Sequence, residues 1–195
     1  MKHKQVIFGL FVIVALIQLF VPLKMILKYE EVLQNGKVYK FRTAPIDPND
    51  PFRGKYISLN FDDAITTYQS DKQWYNHEKA FVLLDQDRDG FAIVKNISID
   101  RPINTNNYVK ADIYLAYGLK NQNQIRINYP FDKFYMEETK AQPAEKIYME
   151  SVGESHKKPA YALVAINKGR GVIKDVIIDG RSVKDITVNN QKMSK

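Results

Sequence analysis

The sequence predicts a mostly β domain, a sandwich or barrel-like arrangement of about eight strands with one or two short helices, behind an N-terminal transmembrane helix. Three observations lead to this prediction. An uncharged apolar run follows a short basic start at the N-terminus. Later segments alternate apolar and polar residues at the period of a β-strand. Clusters of Gly, Asn and Asp separate these segments at the spacing of hairpin turns.

The N-terminal apolar run is long enough to cross a bilayer. Val6–Leu23 contains no charged residue, and at ~1.5 Å of rise per residue it measures about 27 Å, close to the ~30 Å hydrocarbon core. The bulky Met25–Leu27 stands where a signal peptidase needs small residues. We therefore expect a basic tail at 1–5 and an uncleaved signal-anchor helix at 6–27, inserted in the lipid bilayer, rather than a cleaved signal peptide.

Charge does not decide on which side of the membrane the domain lies. Lys2 and Lys4 precede the apolar run, whereas Lys24 and Lys28 follow it, so the positive-inside rule favours neither orientation. The chain has no cysteine, as suits an oxidising compartment, and its start resembles a signal sequence. We therefore expect a single-pass protein of the cell membrane with its domain on the extracytoplasmic side.

The composition excludes several classes of function. The absence of cysteine excludes disulfides, thiolate catalysis and cysteine zinc sites. The net charge of +7 suggests an anionic membrane surface rather than nucleic acid, because basic and acidic residues are interspersed. The chain has neither a phosphate-binding glycine loop nor a Gly-x-Ser-x-Gly elbow. We expect no nucleic-acid partner, no cofactor and no assigned catalytic residue.

A helical segment at 28–36 joins the apolar run to the domain, and Gly36 is expected as its left-handed C-cap. The β-rich domain then covers 37–182, and a polar tail follows at 183–195. A helix is expected over Glu137–Val152, which is rich in good helix formers. The predicted strands are Val38–Arg42, Lys55–Phe61, Ala80–Leu84, Phe91–Ile97, Tyr108–Tyr117, Ile125–Tyr129, Tyr161–Ile166 and Val172–Ile178.

The segment Asp85–Gly90 matches the first half of an EF-hand calcium loop. Its twelfth position is Asn96, however, where the loop requires a bidentate Glu, and its flanks are typical of strands. Asp and Gly are also favoured in tight turns, so we expect a hairpin turn and no calcium site. The three histidines, His3, His77 and His156, show no metal-ligand spacing, and we expect no metal site elsewhere.

The most informative segment runs from Ala44 to Phe61. Its three prolines each fix φ and push the preceding residue into an extended conformation. Arg53 and Gly54 then turn the chain into a strand. This stiff loop presents Asp47 and Arg53 with little conformational entropy left to lose. The apolar residues on one face of the following strand are Ile57, Leu59 and Phe61.

These residues resemble the signature of the bacterial GDYXXLXY protein family, which runs Pro-x-Asp-Pro and then Arg-Gly-Asp-Tyr-x-x-Leu-x-Tyr. Lys55 stands in place of the motif Asp, and Phe61 in place of the last Tyr. A Tyr135–Glu138 segment and a closing Asp179-Gly180 also fit, so the resemblance covers essentially the whole chain. The matching positions are Pro45, Asp47, Pro48, Arg53, Gly54, Tyr56 and Leu59.

The resemblance implies a membrane-anchored protein of a family whose function is uncharacterised, with an integral membrane partner implied by association. Because Lys55 replaces the motif Asp, that position suits neither a catalytic carboxylate nor a metal ligand. Gly54, Tyr56 and Leu59 suit a turn that enters a strand, and Arg53 with Asp47 suits an ion pair that locks the loop. The motif is therefore either a scaffold or a binding surface.

Three hypotheses about function remain open at this point. The first is a non-enzymatic, membrane-tethered accessory or interaction domain that works with an integral membrane protein. The second is an extracytoplasmic hydrolase that uses Glu138, Asp47 and Arg53, because carboxylates near an Arg can carry out acid/base chemistry. The third is a ligand or ion sensor that uses the acids of Asp47–Asp50 or Asp85–Asp89.

Overall fold

The computed structural model describes residues 2–44, 56–67, 74–75, 77–115, 124–152 and 159–187. Its helices are α1 (Lys2–Asn35), a short 3-10 turn (Asp62–Ala64), α2 (Glu138–Val152) and a helical turn at 183–187. Its twelve strands are β1 (Lys37–Ala44), β2 (Tyr56–Ser58), β3 (Asn60–Phe61), β4 (Ile65–Thr67), β5 (Glu78–Gln86), β6 (Ala92–Ser98), β7 (Tyr108–Leu115), β8 (Gln124–Asn128), β9 (Lys133–Tyr135), β10 (Ala160–Asn167), β11 (Arg170–Ile178) and β12 (Arg181–Ser182).

The expected anchor and the juxtamembrane segment form one unbroken helix, α1, which continues through Pro22. The large apolar side chains from Val6 to Leu27 are exposed by 38–70%, so they pack against no part of the domain that the structure describes. The length and hydropathy of α1 are sufficient for it to cross a bilayer. It is therefore a candidate membrane span, at the place where the sequence predicts one.

Two five-stranded antiparallel sheets form the body of the domain. Their strand orders are β12-β11-β10-β1-β3 and β4-β8-β7-β5-β6. The sheets are joined by two parallel bridges, one between Lys40 and Phe91 and the other between Val109 and Gly169. Strands β2 and β9 form a separate two-stranded ladder. The result is a half-barrel, which confirms the predicted mostly β, barrel-like fold with a long N-terminal helix.

The core is enclosed by the sheets and closed on one side by α2. The helix presents one apolar face, because its buried residues recur at helical spacing. Those residues are Ala141, Ala144, Tyr148 and Val152. Opposite them, Ile57 of β2 is fully buried, and α2 packs on this strand. The predicted helix is therefore confirmed, and its position places it behind the motif strand.

Two tight turns lie in the C-terminal half, each between antiparallel strands. Strands β10 and β11 are joined by Lys168 and Gly169, whose φ angles are 47° and 86°. Strands β11 and β12 are joined by Asp179 and Gly180, with φ angles of 51° and 74°. Two successive residues with positive φ are typical of type I′ hairpin turns. The connection between the predicted strands Tyr108–Tyr117 and Ile125–Tyr129 lies outside the described residues.

The predicted left-handed conformation of Gly36 is wrong. The φ angle of Gly36 is not positive, and its N–H donates to the Val32 carbonyl at 2.8 Å. A Cβ at position 36 would lie 2.4 Å from that same oxygen and 3.0 Å from the backbone nitrogen of Ile166 in β10. Glycine is needed here because position 36 lies close both to the Val32 carbonyl at the end of α1 and to the backbone of β10, not because of its freedom in φ.

The polar tail predicted from residue 183 does not begin there. Residues 183–187 form a helical turn, and both Val183 and Thr187 are completely buried. The Thr187 hydroxyl donates to the Val183 carbonyl at 2.6 Å, which satisfies its polar group inside the fold. The packed domain therefore extends to at least Thr187, and the remainder of the predicted tail lies outside the described residues.

Candidate functional site

Most of the sequence signature lies outside the described residues, including Lys55. The Arg53–Asp47 ion pair therefore stays a prediction. Glu138 is the first residue of α2, and its side chain is not among those the structure describes. Tyr56, on β2, and Leu59, between β2 and β3, are described. The signature residues outside the described ranges are Pro45, Asp47, Pro48, Arg53 and Gly54.

The motif strand predicted at Lys55–Phe61 is in fact two strands separated by Leu59. Strand β2 pairs with β9, whereas β3 pairs with β1 in the first sheet. The Leu59 N–H donates to the carbonyl of Asp132 at 2.7 Å, so the backbone stays bonded where it crosses between the ladders. A single alternating pattern in the sequence gives no sign of this change of partner.

The apolar face predicted for this segment is confirmed. Ile57, Leu59 and Phe61 are each no more than 5% exposed. The surroundings of three signature positions, 56, 59 and 61, therefore explain the residue found at each. Leu59 fills the core, Phe61 fills the core, and Tyr56 lies half-buried on the opposite face.

Phe61, which replaces the last Tyr of the signature, belongs to a cluster of four aromatic rings. Its ring centroid lies 5.3 Å from that of Phe41, 5.9 Å from Tyr129 and 5.7 Å from Phe131. The rings meet at tilted or edge-on angles of 59–81°, which are favourable for aromatic pairs. Position 61 therefore serves packing, and its aromatic ring is the feature that matters.

The outer face of the β2–β9 ladder carries a small cationic and aromatic surface, which we call the Tyr56 patch: Tyr56, Lys133 and Tyr135. Tyr56 lies opposite Tyr135 in the ladder, and their ring centroids are 5.5 Å apart. The Lys133 ammonium lies 4.8 Å from the centre of the Tyr56 ring. Tyr135 is 69% exposed, so the patch faces solvent.

The charge of Lys133 is stabilised by its neighbours. The Tyr56 phenol contributes most, followed by the Asp132 carboxylate, and together they raise the pKa of Lys133 above its usual range. The lysine is therefore charged throughout the physiological range. A fixed cation is held against one half-buried and one exposed tyrosine, and tyrosine is enriched where proteins bind other proteins.

The sequence reasoning missed Lys133 as a member of this patch. The signal was present, because Lys133-Phe134-Tyr135 alternates around a buried Phe134 that is 4% exposed. A strand of three residues with that pattern places its first and third side chains together on the outer face. The segment is too short for periodicity alone to distinguish it from a loop.

The Asp85–Gly90 segment is a hairpin turn between β5 and β6, as predicted. One carboxylate oxygen of Asp87 accepts the N–H groups of Asp89 and Phe91 at 2.9 and 2.8 Å. The other accepts from the Arg42 guanidinium at 3.1 Å. Gly90 has a φ of 83°, which glycine accepts without strain. Both Asp87 oxygens are therefore occupied by the turn itself and by β1.

Electrostatics agree with this structural role for the turn. The N–H of Phe91, followed by Arg42 and the N–H of Asp89, holds the pKa of the Asp87 carboxyl below its usual range. Arg42 in turn stacks over the Phe91 ring, 3.9 Å from its centre. Within the described ranges, no three His, Asp or Glu side chains are grouped as metal ligands.

The family model described as GDYXXLXY protein matches residues 18–176. The match begins within α1 and ends within β11, so it includes the motif strands, the Tyr56 patch and the Asp87 turn. No curated protein and no solved structure matches the chain.

Proposed function

This chain belongs to the GDYXXLXY family, and we propose that it is a membrane-anchored accessory domain that acts with an integral membrane partner. In this proposal, α1 spans the bilayer over residues 6–27 and the half-barrel is held close to the surface. The Tyr56 patch, together with the signature loop that precedes it, provides the surface for the partner. The domain carries out no reaction of its own.

The observation that carries the proposal is the junction between α1 and the domain. Val32, in the last turns of α1, is 3% exposed, and the helix end packs on β10 and β11. Glu31 lies 3.9 Å from Lys168 at the β10–β11 turn. Val32 is only five positions after Leu27, where the expected anchor ends, and five positions are about 7.5 Å along a helix. The domain is therefore joined to the candidate span without a flexible linker.

A rigid junction suits an accessory domain, because it fixes the height and direction of the binding surface above the membrane. Cutting the freedom of a binding surface reduces the entropy lost when a partner binds. A partner embedded in the same bilayer would also meet the domain at high effective concentration. We place the domain on the extracytoplasmic side, which the absence of cysteine supports.

The test uses the full chain in its native membranes, with a photo-crosslinking amino acid at position 135 or, as control, at Arg88 on the β5–β6 turn, which is not part of the Tyr56 patch. We expect the chain to resist alkaline extraction and to keep its N-terminus. We also expect capture of an integral membrane protein from position 135 only, and loss of that capture in the Lys133→Glu variant. Release of the chain by alkali, a mature N-terminus near residues 25–30, or equal capture from both positions would contradict the proposal.

A further inference from the structure

A groove of about 450 Å³ lies where α1 meets the sheets, on the side of the domain nearest the apolar run. Its walls are the last turns of α1, the start of β7 and the β10–β11 turn. Among the described residues that line it, Glu31 is the one acidic residue. The basic residues that line it come from five separate positions of the chain: Lys28, Arg101, Lys110, Lys168 and Arg170.

The walls of the groove are fixed by the fold. Tyr108 is 1% exposed, and its hydroxyl accepts a hydrogen bond of 2.7 Å from Arg101 Nε. Backbone bonds tie the β10–β11 turn to β7: Gly169 N–H donates to the Tyr108 carbonyl at 3.0 Å, and Lys110 N–H donates to the Gly169 carbonyl at 2.9 Å. The cations are therefore brought together by the sheet and not by chance placement on loops.

The positive charge in the groove is largely uncompensated. Lys168 lies 3.9 Å from Glu31. Lys28, Lys110 and Arg170 form no ion pair within the described part of the chain. Cations held together without counterions repel one another, and a bound anion removes that repulsion. Several Lys and Arg side chains around one concavity are the usual recognition chemistry for a phosphate group.

The position of the groove identifies the source of that phosphate. Lys28 is the residue directly after the expected anchor segment, which ends at Leu27. If α1 spans the bilayer, the groove therefore opens at the level of the lipid headgroups. Basic clusters at this level attract anionic lipids.

Exposed apolar side chains beside the groove support the same placement. Ile103 is 95% exposed and Ile99 is 48% exposed, both in the β6–β7 loop that carries Arg101. Two residues of chain span at most about 7 Å, so Ile103 lies close to the mouth of the groove. An apolar side chain this exposed is unfavourable in water but favourable in the membrane interface.

We infer that the groove binds the phosphate headgroup of an anionic lipid, with Ile103 inserted in the bilayer interface beside it. The inference deepens the proposed function and rests on its membrane anchor. Lys110 and Arg170 carry the headgroup contact together with Lys28, and Arg101 is held in place by Tyr108. The bound lipid fixes the orientation of the domain on the membrane.

The test measures hydrogen exchange of the full chain in nanodiscs made of phosphatidylcholine alone or with about 30 mol% phosphatidylglycerol. We expect the anionic lipid to slow exchange at the amides of 168–171 by about threefold or more, because a ligand bound to the folded state suppresses opening. The double variant Lys110→Gln/Arg170→Gln should lose this effect. The control Arg88→Gln/Lys174→Gln removes the same charge outside the groove and should keep it.

Three results would overturn the inference. The first is equal exchange in the two kinds of nanodisc. The second is equal protection by millimolar inorganic phosphate in phosphatidylcholine nanodiscs, which would make the site one for free phosphate. The third is that the two double variants lose the protection by anionic lipid equally, which would indicate nonspecific attraction to the membrane surface. A chain that does not enter nanodiscs at all would instead contradict the proposed anchor, so the two failures are distinguishable.

Discussion

Replacing Gly36 by Ala tests whether α1 and the half-barrel form one rigid unit. The added Cβ would lie 2.4 Å from the Val32 carbonyl oxygen and 3.2 Å from the Ala165 Cβ. These obstacles are backbone and a short side chain, neither of which can rotate away. Either the last turn of α1 or strand β10 must therefore shift.

The magnitude follows from two contributions. Overpacking of a close contact costs about 1–3 kcal/mol. The shift would also weaken the Gly36 N–H bond to Val32, and such a bond contributes about 0.5–1.5 kcal/mol. We expect the free energy of unfolding to fall by about 2–4 kcal/mol, which at a urea dependence of ~2 kcal/mol per molar moves the midpoint down by about 1–2 M.

The assay is urea unfolding of the full chain in a mild detergent, followed by tryptophan fluorescence. Trp74 is the one tryptophan of the chain and is 2% exposed, so its emission reports on the core. Gly9→Ala is the matched control, because a Cβ at that position of α1 meets nothing within 4 Å. A Gly36→Ala midpoint equal to the wild-type midpoint, or an equal fall in Gly9→Ala, would refute the reasoning.

Three further predictions concern the motif strand and the Asp87 turn. Phe61→Ala should lower the free energy of unfolding by about 3–5 kcal/mol in the same assay, because it opens a cavity among packed rings; a loss below about 1 kcal/mol would contradict the packing role. Hydrogen bonds lower the pKa of Asp87 in the folded state, so its contribution to stability is present above its unfolded pKa of ~3.9 and is lost as the pH falls through the lower folded value. The melting temperature of Asp87→Asn should therefore lie below that of the wild type at pH 7, and the two should converge as the pH falls below the folded pKa of Asp87; a constant difference would contradict this origin. Millimolar calcium should leave the melting temperature of the wild type unchanged, because the Asp87 oxygens are already occupied; an upshift that Asp87→Asn abolishes would show a calcium site.

A helix or a turn was predictable from the sequence where one local signal is enough to determine it. The uncharged run of α1 and the Asp and Gly residues of the β5–β6 turn each leave few alternatives. The break at Leu59 was not predictable, because Ile57, Leu59 and Phe61 keep one alternating pattern while the backbone changes its partner strand. Sequence periodicity reports which face is buried and carries no information about which strand lies alongside.

Gly36 and the helical turn at 183–187 show a second limit of prediction from the sequence. The residue type at 36 was correctly associated with the end of α1, but glycine serves either a positive φ or a close approach, and only the position of β10 distinguishes them. Val183 and Thr187 are a single pair at helical spacing within a polar stretch. One such pair is too weak a signal to predict burial, which here depends on contacts made by the rest of the domain.

The basic groove was beyond reach of the sequence for a different reason. Its cations are separated by up to 142 positions, from Lys28 to Arg170, and each is an ordinary surface residue in its own segment. They converge because Gly169 is bonded to Tyr108 and because α1 packs against the same turn. The net positive charge was the one visible sign, and it indicated a membrane surface without indicating where.

The most direct test of the account measures how deeply three positions lie in a bilayer. The chain has no cysteine, so single spin labels can be attached to Ile13→Cys, Ile103→Cys and Arg88→Cys in the full protein. Collision with oxygen, which partitions into lipid, and with a water-soluble nickel complex gives the depth of each label. We expect position 13 in the hydrocarbon core, position 103 at the level of the headgroups and position 88 in water. A label at 103 as accessible to nickel as that at 88, or a label at 13 in water, would contradict the claim that α1 anchors the domain with its groove against the membrane.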